Sequence, residues 1–196
     1  MSKVIVLDSA PVGLITNPKA NPLAVQCQEW FYSLFERGYE VILPEIIDYE
    51  IRRELLRANK LSGIRKLNQL KAEIIYLPIT TEVMLKAAEL WAEVRNKGKS
   101  TADNKALDGD VILAAQSILV TNYGNEVIIA TSNKKHLSIF IDAREWGEIE
   151  NARSHLLNFP NSELLAAAQR LRTPSTSQTA IPSVRFTIAY LPQHPF

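Results

Sequence analysis

Val4-Ile5-Val6-Leu7-Asp8-Ser9 decides the fold. Residues 4–7 form a short unbroken apolar run, the pattern of a strand buried on both faces of a parallel sheet. The run stops at a carboxylate, and the chain then passes through Pro11, Gly13, Asn17 and Pro18. Asn21 followed by Pro22 is a helix start, a cap and then a proline in the first turn. Residues 23–37 place Leu23, Val25, Cys27, Trp30 and Leu34 at helical spacing, and Gly38 closes the run. A second strand is predicted over residues 39–43, with helices over 44–58 and 62–70. A third strand over 74–77 leads to Thr80 or Thr81, either of which caps a helix running to about residue 97. Residues 98–107 read as a polar loop and 108–121 as an apolar helix of small residues. A strand over 126–130 follows, then a turn over 131–136 and a short strand near 139–141. Strands alternating with helices imply βαβ units and a parallel sheet of about four or five strands, with helices on both faces.

Composition narrows the function classes. The chain has 196 residues, 46% of them hydrophobic, with 22 Lys+Arg against 21 Asp+Glu. That is too apolar for a disordered chain, and no repeat period suggests a solenoid. Near-neutrality argues against a polybasic nucleic-acid coat, but not against an enzyme whose charges are segregated. Cys27 is the only cysteine, which excludes an internal disulfide and a cysteine-based zinc site. The first residues lack the long apolar core of a signal peptide, and the stretch 111–120 is too short to span a bilayer. The expectation is a cytoplasmic protein with no membrane segment. The main α/β domain is placed at residues 1–150. Residues 151–196 form a C-terminal extension, with a helix over 161–172, a Pro/Ser/Thr-rich linker over 173–183 and a possible strand over 184–190.

Several polar residues sit where a bland fold does not call for them. Asp8 lies just beyond the carboxyl end of the first strand, the edge at which open α/β sheets bind ligands; taken singly it also reads as a helix cap. Glu50 borders an apolar stripe with Ile47, Ile51 and Glu54, where a carboxylate is costly unless paired or metal-bound; Arg53 or Arg57 would be partners. Asp108-Gly109-Asp110 precedes a strongly apolar helix, where one Asp is an ordinary cap and a pair is harder to dismiss. Thr131-Ser132-Asn133 follows the strand at 126–130, bringing a hydroxyl and an amide to the same edge as Asp8.

In this order, strand-Asp8-Ser9, Glu50 on a helix, Asp110-x-x-Leu113-Ala114-Ala115 and strand-Thr131-Ser132-Asn133 resemble the PIN-domain family. The likeness is to the VapC-like ribonucleases of bacterial toxin–antitoxin pairs in particular, and it covers roughly residues 3–142. It implies a Rossmann-like three-layer α/β/α sandwich with acidic residues around Mg²⁺ or Mn²⁺. Asp8, Glu50 and Asp110 would be the main carboxylates, Asp108 an auxiliary one able to compete with Asp110. Ser9 and Thr131 would bring hydroxyls to the metal or the scissile phosphate. Asn133 stands where many members carry a fourth Asp, so a second metal would bind weakly. The implied activity is hydrolysis of RNA phosphodiester bonds by a metal-activated water, in a homodimer restrained by an antitoxin protein.

Hard oxygen ligands suit such ions, and no Ser, Cys or His nucleophile is required. His136, His155 and His194 show no ligand spacing and read as surface or loop histidines. Arg52, Arg53, Arg57, Lys60, Arg65, Lys66 and Lys71, then Arg95, Lys97, Lys99 and Lys105, then Lys134 and Lys135, flank the carboxylates in sequence. They read either as solvated helix faces or as a track for RNA phosphates; Arg52, Arg53, Arg57, Lys99 and Lys134 are the candidate RNA contacts. Two other classes compete. A catalytically silent PIN-like module that binds RNA or protein is favoured by Asn133. A phosphatase with an Asp nucleophile would want a second Asp two residues on, where this chain has Ala10. Leu23, Trp30, Leu34 and Trp91 are assigned to the core in preference to a dimer interface.

Overall fold

A computed structural model describes residues 3–19, 21–96 and 104–149, with side chains from residue 108 onward in the last stretch. The extension at 151–196, its helix, linker and strand, and the boundary near 150 lie outside the described residues. Five strands form one sheet: β1 (Lys3–Leu7), β2 (Glu40–Pro44), β3 (Ile75–Leu77), β4 (Glu126–Thr131) and β5 (Ala143–Glu145), in the order β3-β2-β1-β4-β5. All pairings are parallel. Val4, Ile5, Val6 and Leu7 are at most 1% exposed, as the unbroken apolar run requires of a central strand covered on both faces.

Among the described residues, seven α-helices flank the sheet: α1 (Ser9–Ile15), α2 (Pro22–Glu36), α3 (Glu45–Arg57), α4 (Leu61–Glu73), α5 (Thr81–Asn96), α6 (Asn104–Thr121) and α7 (Lys134–Leu137). Cys27, Trp30, Phe31 and Leu34 of α2 join Leu67 and Leu70 of α4 and the strands in the main core. A second cluster holds Val83, Ala87, Leu90 and Val94 of α5 against Val111, Ala114 and Ala115 of α6. The result is an α/β/α sandwich. Burying each large aliphatic side chain contributes about 1.5–3 kcal/mol, so the four consecutive residues of β1 are a principal source of its stability.

The α2 start is built as the sequence suggests: the Asn21 side chain accepts from Ala24 N at 2.8 Å, and Gly38 leaves the helix at φ +75°. Three expectations are corrected, and a helix is added in a stretch to which the sequence assigned no element. The stretch containing Pro11 and Gly13 is a helix, α1, because Pro11 falls in its first turn, where no amide donor is needed. The fifth strand is Ala143–Glu145 and not residues 139–141; Phe140 and Ile141 instead close a turn onto the Leu137 carbonyl. Helix α6 begins at Asn104, inside the stretch read as a loop. Lys134–Leu137 is a short helix where a turn was expected.

Trp30 and Leu34 are buried, but Leu23 is 52% and Trp91 39% exposed, so neither of these two belongs to the core. Trp30 packs on Trp146 with ring centroids 5.6 Å apart and donates its indole N–H to the Ile149 carbonyl. Among the described residues no helix is long and apolar enough to cross a membrane.

Candidate active site

Topology creates the site. From β1 the chain builds outward to β2 and β3, then returns to lay β4 on the other side of β1. The carboxyl ends of β1 and β4 therefore face a switch point, the crevice where doubly wound sheets bind their ligands. Leu7 is in register with Ala130, and the pairing runs one residue further, since Asp8 N donates to the Ala130 carbonyl at 3.0 Å. Asp8 and Thr131 are thus brought together from 123 residues apart in sequence.

The Asp8 carboxylate is held at both oxygens. Ser9 donates to Oδ1 through its backbone N–H at 2.6 Å and its hydroxyl at 3.2 Å. The Thr131 hydroxyl donates to Oδ2 at 2.6 Å and accepts from Asn133 N at 2.9 Å. Thr131 is fully buried. It is the rivet between the β1 and β4 ends: a donor to the carboxylate and an acceptor for the loop that follows. Asn133 is the residue before α7, and its side chain makes no capping bond.

Glu50 and Asp110 complete a group of three carboxylates. Glu50 lies in the second turn of α3, and its pKa is raised by burial first, then by repulsion from Asp8 and Asp110, with Arg53 opposing. Asp110 is raised by burial first and then by Asp8, with His136 opposing. Glu50 and Asp110 are thus both destabilised as anions by burial and by the Asp8 carboxylate, which links the three acids into one electrostatic unit. Its couplings are negative with negative, the arrangement that active sites maintain and ordinary cores avoid. As placed, no His, Cys, Asp and Glu side chains among the described residues form a group of three or more able to hold a metal ion.

Asp108 is exposed. Residues two apart on a helix do not share a face, so α6 turns Asp108 away from the side that carries Asp110. With α6 starting at Asn104, neither acid is an N-terminal cap, and that ordinary explanation of the pair falls away. The histidine reading also changes for His136. Its Nδ1 lies 3.5 Å from Asp110 Oδ2, with about 30% of either side chain exposed. The signal was available: His136 stands three residues after Asn133, one turn along a helix opening at the sheet edge.

The candidate RNA contacts divide. Arg52 is clamped to Asp48 at 2.7 Å, Arg57 to Glu54 at 2.7 Å and Lys134 to Glu148 at 3.0 Å, so each has a carboxylate partner already. Arg53 lies over the Tyr49 ring at 5.3 Å and also acts on Glu50, which makes it the basic group nearest in effect to the acids. Lys99 lies outside the described residues. A cleft of about 450 Å³ between α1, α3 and α4 begins at Ile51, beside Glu50, and carries Lys19, Arg57 and Lys60 on its wall.

No protein-family model matches the sequence, and no curated protein matches it. Solved structures do. VapBC2 from Rickettsia felis, bound to a DNA fragment from their promoter, aligns with TM-score 0.57 and 15% identity over 73% of this chain and 98% of that one. VapBC-1 from nontypeable Haemophilus influenzae gives TM-score 0.55 and 13% identity, covering 74% and 99%. DNA-bound VapBC from Salmonella typhimurium gives 0.51 and 18%, again over 74% and 99%. At such identities the likeness speaks for the backbone and not for the chemistry: the chain has a VapC-like PIN fold.

Proposed function

We propose that the protein is a metal-dependent endoribonuclease, the toxin of a toxin–antitoxin pair. The observation that carries this is the convergence of Asp8, Glu50 and Asp110 at the β1–β4 switch point, where Asp8 raises the pKa of both Glu50 and Asp110 and is itself held by Thr131. Hard carboxylate oxygens are the donor set that Mg²⁺ or Mn²⁺ takes, and a cation between them would relieve the repulsion recorded in the shifts of Glu50 and Asp110. Asp8, Glu50 and Asp110 would hold it, with exposed Asp108 at most reaching it through water. When bound, such an ion lowers the pKa of water and offsets charge on a phosphoryl group under attack.

The chain's own residues do the rest. Ser9 and Thr131 fix the rotation of the Asp8 carboxylate through both of its oxygens. His136 braces Asp110 from the open side. Arg53, with Lys19 and Lys60 on the wall of the cleft that begins at Ile51, would supply attraction for a phosphate backbone. The Asn133 amide adds no charge, which leaves the group short of a second full cation site. An antitoxin partner is supported by the VapBC pairs among the similar structures. A homodimer and a cytoplasmic setting accompany this reading by family resemblance.

The test is cleavage of RNA by purified, partner-free protein with Mn²⁺ or Mg²⁺. Cutting is expected, lost on chelation and lost in Asp8→Ala and Asp110→Ala at unchanged fold. A preparation that cuts no RNA under either metal sinks the enzyme reading. RNA binding that survives Asp8→Ala without any cleavage by the parent chain would favour the silent binding module.

A further inference from the structure

Helix α6 contains a glycine that its own stability does not want. Gly109 lies in the interior of Asn104–Thr121, where glycine is a poorer helix former than alanine because it leaves more backbone freedom to lose. Some helical glycines are explained by packing. Gly63 in α4 is one: a Cβ built there would meet the Leu55 side chain at 2.7 Å. Gly109 is different. Outside its own turn, the atoms that a Cβ would meet within 4 Å all belong to Glu50: Oε1 at 2.5 Å and Cδ at 3.6 Å. The space of the missing side chain is filled by a carboxylate.

We propose that Gly109 is a positioning residue: its bare Cα is the seat of the Glu50 carboxylate, and that seat sets how near Glu50 comes to Asp110 and Asp8. The inference rests on the nuclease reading for its consequence, though not for its geometry. Helices α3 and α6 pack together, and Glu50 reaches across that contact. Carbon and oxygen settle at about 3.4 Å, so a methyl group at residue 109 displaces Oε1 by about 1 Å. Glu50 is a flexible side chain and gives way without unfolding the protein, at a cost on the order of what alanine gains over glycine in a helix. What is lost is the place of the carboxylate beside Asp110, one residue along the same helix. A misplacement of that size is enough to cost about 100-fold in rate where a reacting group must be held in line.

Wild type, Gly109→Ala, Glu50→Ala and the double variant separate the two parts of the proposal. In the Glu50→Ala background, Gly109→Ala should behave as an ordinary helical substitution and raise Tm by about 2–4 °C. With Glu50 present that gain should be absent or reversed. Equal shifts in both backgrounds would overturn the seat. RNA cleavage with Mn²⁺ reads the consequence: Gly109→Ala should lose about 100-fold in kcat, with little change in KM for RNA. Undiminished kcat in Gly109→Ala, with active wild type, overturns the positioning role. If the wild type cuts no RNA but the melting cycle is non-additive, the nuclease reading fails while the seat stands.

Discussion

Thr131 is the residue on which the site turns, because one buried hydroxyl serves two masters. It donates to Asp8 Oδ2 and accepts from Asn133 N, so Thr131→Val, nearly the same shape, leaves a carboxylate oxygen and an amide unmatched. Each such group costs about 1–3 kcal/mol when buried; a lowered urea midpoint, recovered in Thr131→Ser, is the expected result. Glu50 has the opposite character. Its pKa is raised in the fold, so the native state holds that proton more tightly than the unfolded chain does. Stability therefore falls as pH rises from the unfolded carboxylate's pKa through the folded one's. Glu50→Gln removes a like charge from the cluster and should melt above wild type at pH 7, with the difference shrinking as the buffer approaches about pH 4. A Glu50→Gln variant no more stable than wild type at pH 7 would show that the carboxylate is not under strain. Asp8, Glu50, Asp110 and Thr131 were all legible in the sequence, because an acid after a buried strand, or beside an apolar stripe, demands a reason. Gly109 was not, because its meaning lies in a neighbour that only the tertiary contact supplies, and His136 left only the weaker signal of its spacing from Asn133.

Helix α6 shows how one element does structural and chemical work on different faces. Val111, Ala114 and Ala115 seal it against α5. Asp110 faces the crevice, and Gln116 reaches to the turn after β3, where Nε2 donates to the Leu77 carbonyl at 2.7 Å and the Pro78 carbonyl at 3.3 Å. That turn is also tied from the other side, since Glu45 of α3 accepts from Ile79 N at 2.6 Å. Gln116 is fully buried, so Gln116→Leu keeps the volume and removes the donor. The expected outcome is a loss of about 1–3 kcal/mol in chemical denaturation, with faster amide exchange localised to the start of α5. Unchanged exchange there would show that Glu45 alone holds the turn. Element existence was readable from periodicity for β1, α2, α3, α5 and β4, each a long or unbroken pattern. The exceptions are instructive. Helix α1 was hidden by a proline and a glycine that its first turns tolerate, and β5 by more apolar neighbours at 139–141 that pack as a turn.

For the whole molecule, a formal net charge of +1 conceals a local imbalance. The sheet gathers Asp8, Glu50 and Asp110 at one crevice, while much of the positive charge is spent elsewhere, on Asp48, Glu54 and Glu148. Arg53 and His136 remain to oppose the acids, which leaves the crevice a net sink for cations. This makes metal binding measurable without any RNA. A ligand that binds the folded state alone stabilises it by about 2.7 kcal/mol at a hundredfold excess over Kd, a rise in Tm of about 5–10 °C for a chain of this size. Titration with Mn²⁺ should raise the wild-type Tm and saturate. The rise should be much reduced in Asp110→Ala, which removes an oxygen ligand, and in Asp8→Ala, which removes another and also unpairs Thr131. Asp108→Ala should retain nearly all of it, because that residue stands on the exposed side of α6. Equal shifts in all four proteins would mean that the ion binds elsewhere, and that the three carboxylates owe their convergence to the fold alone.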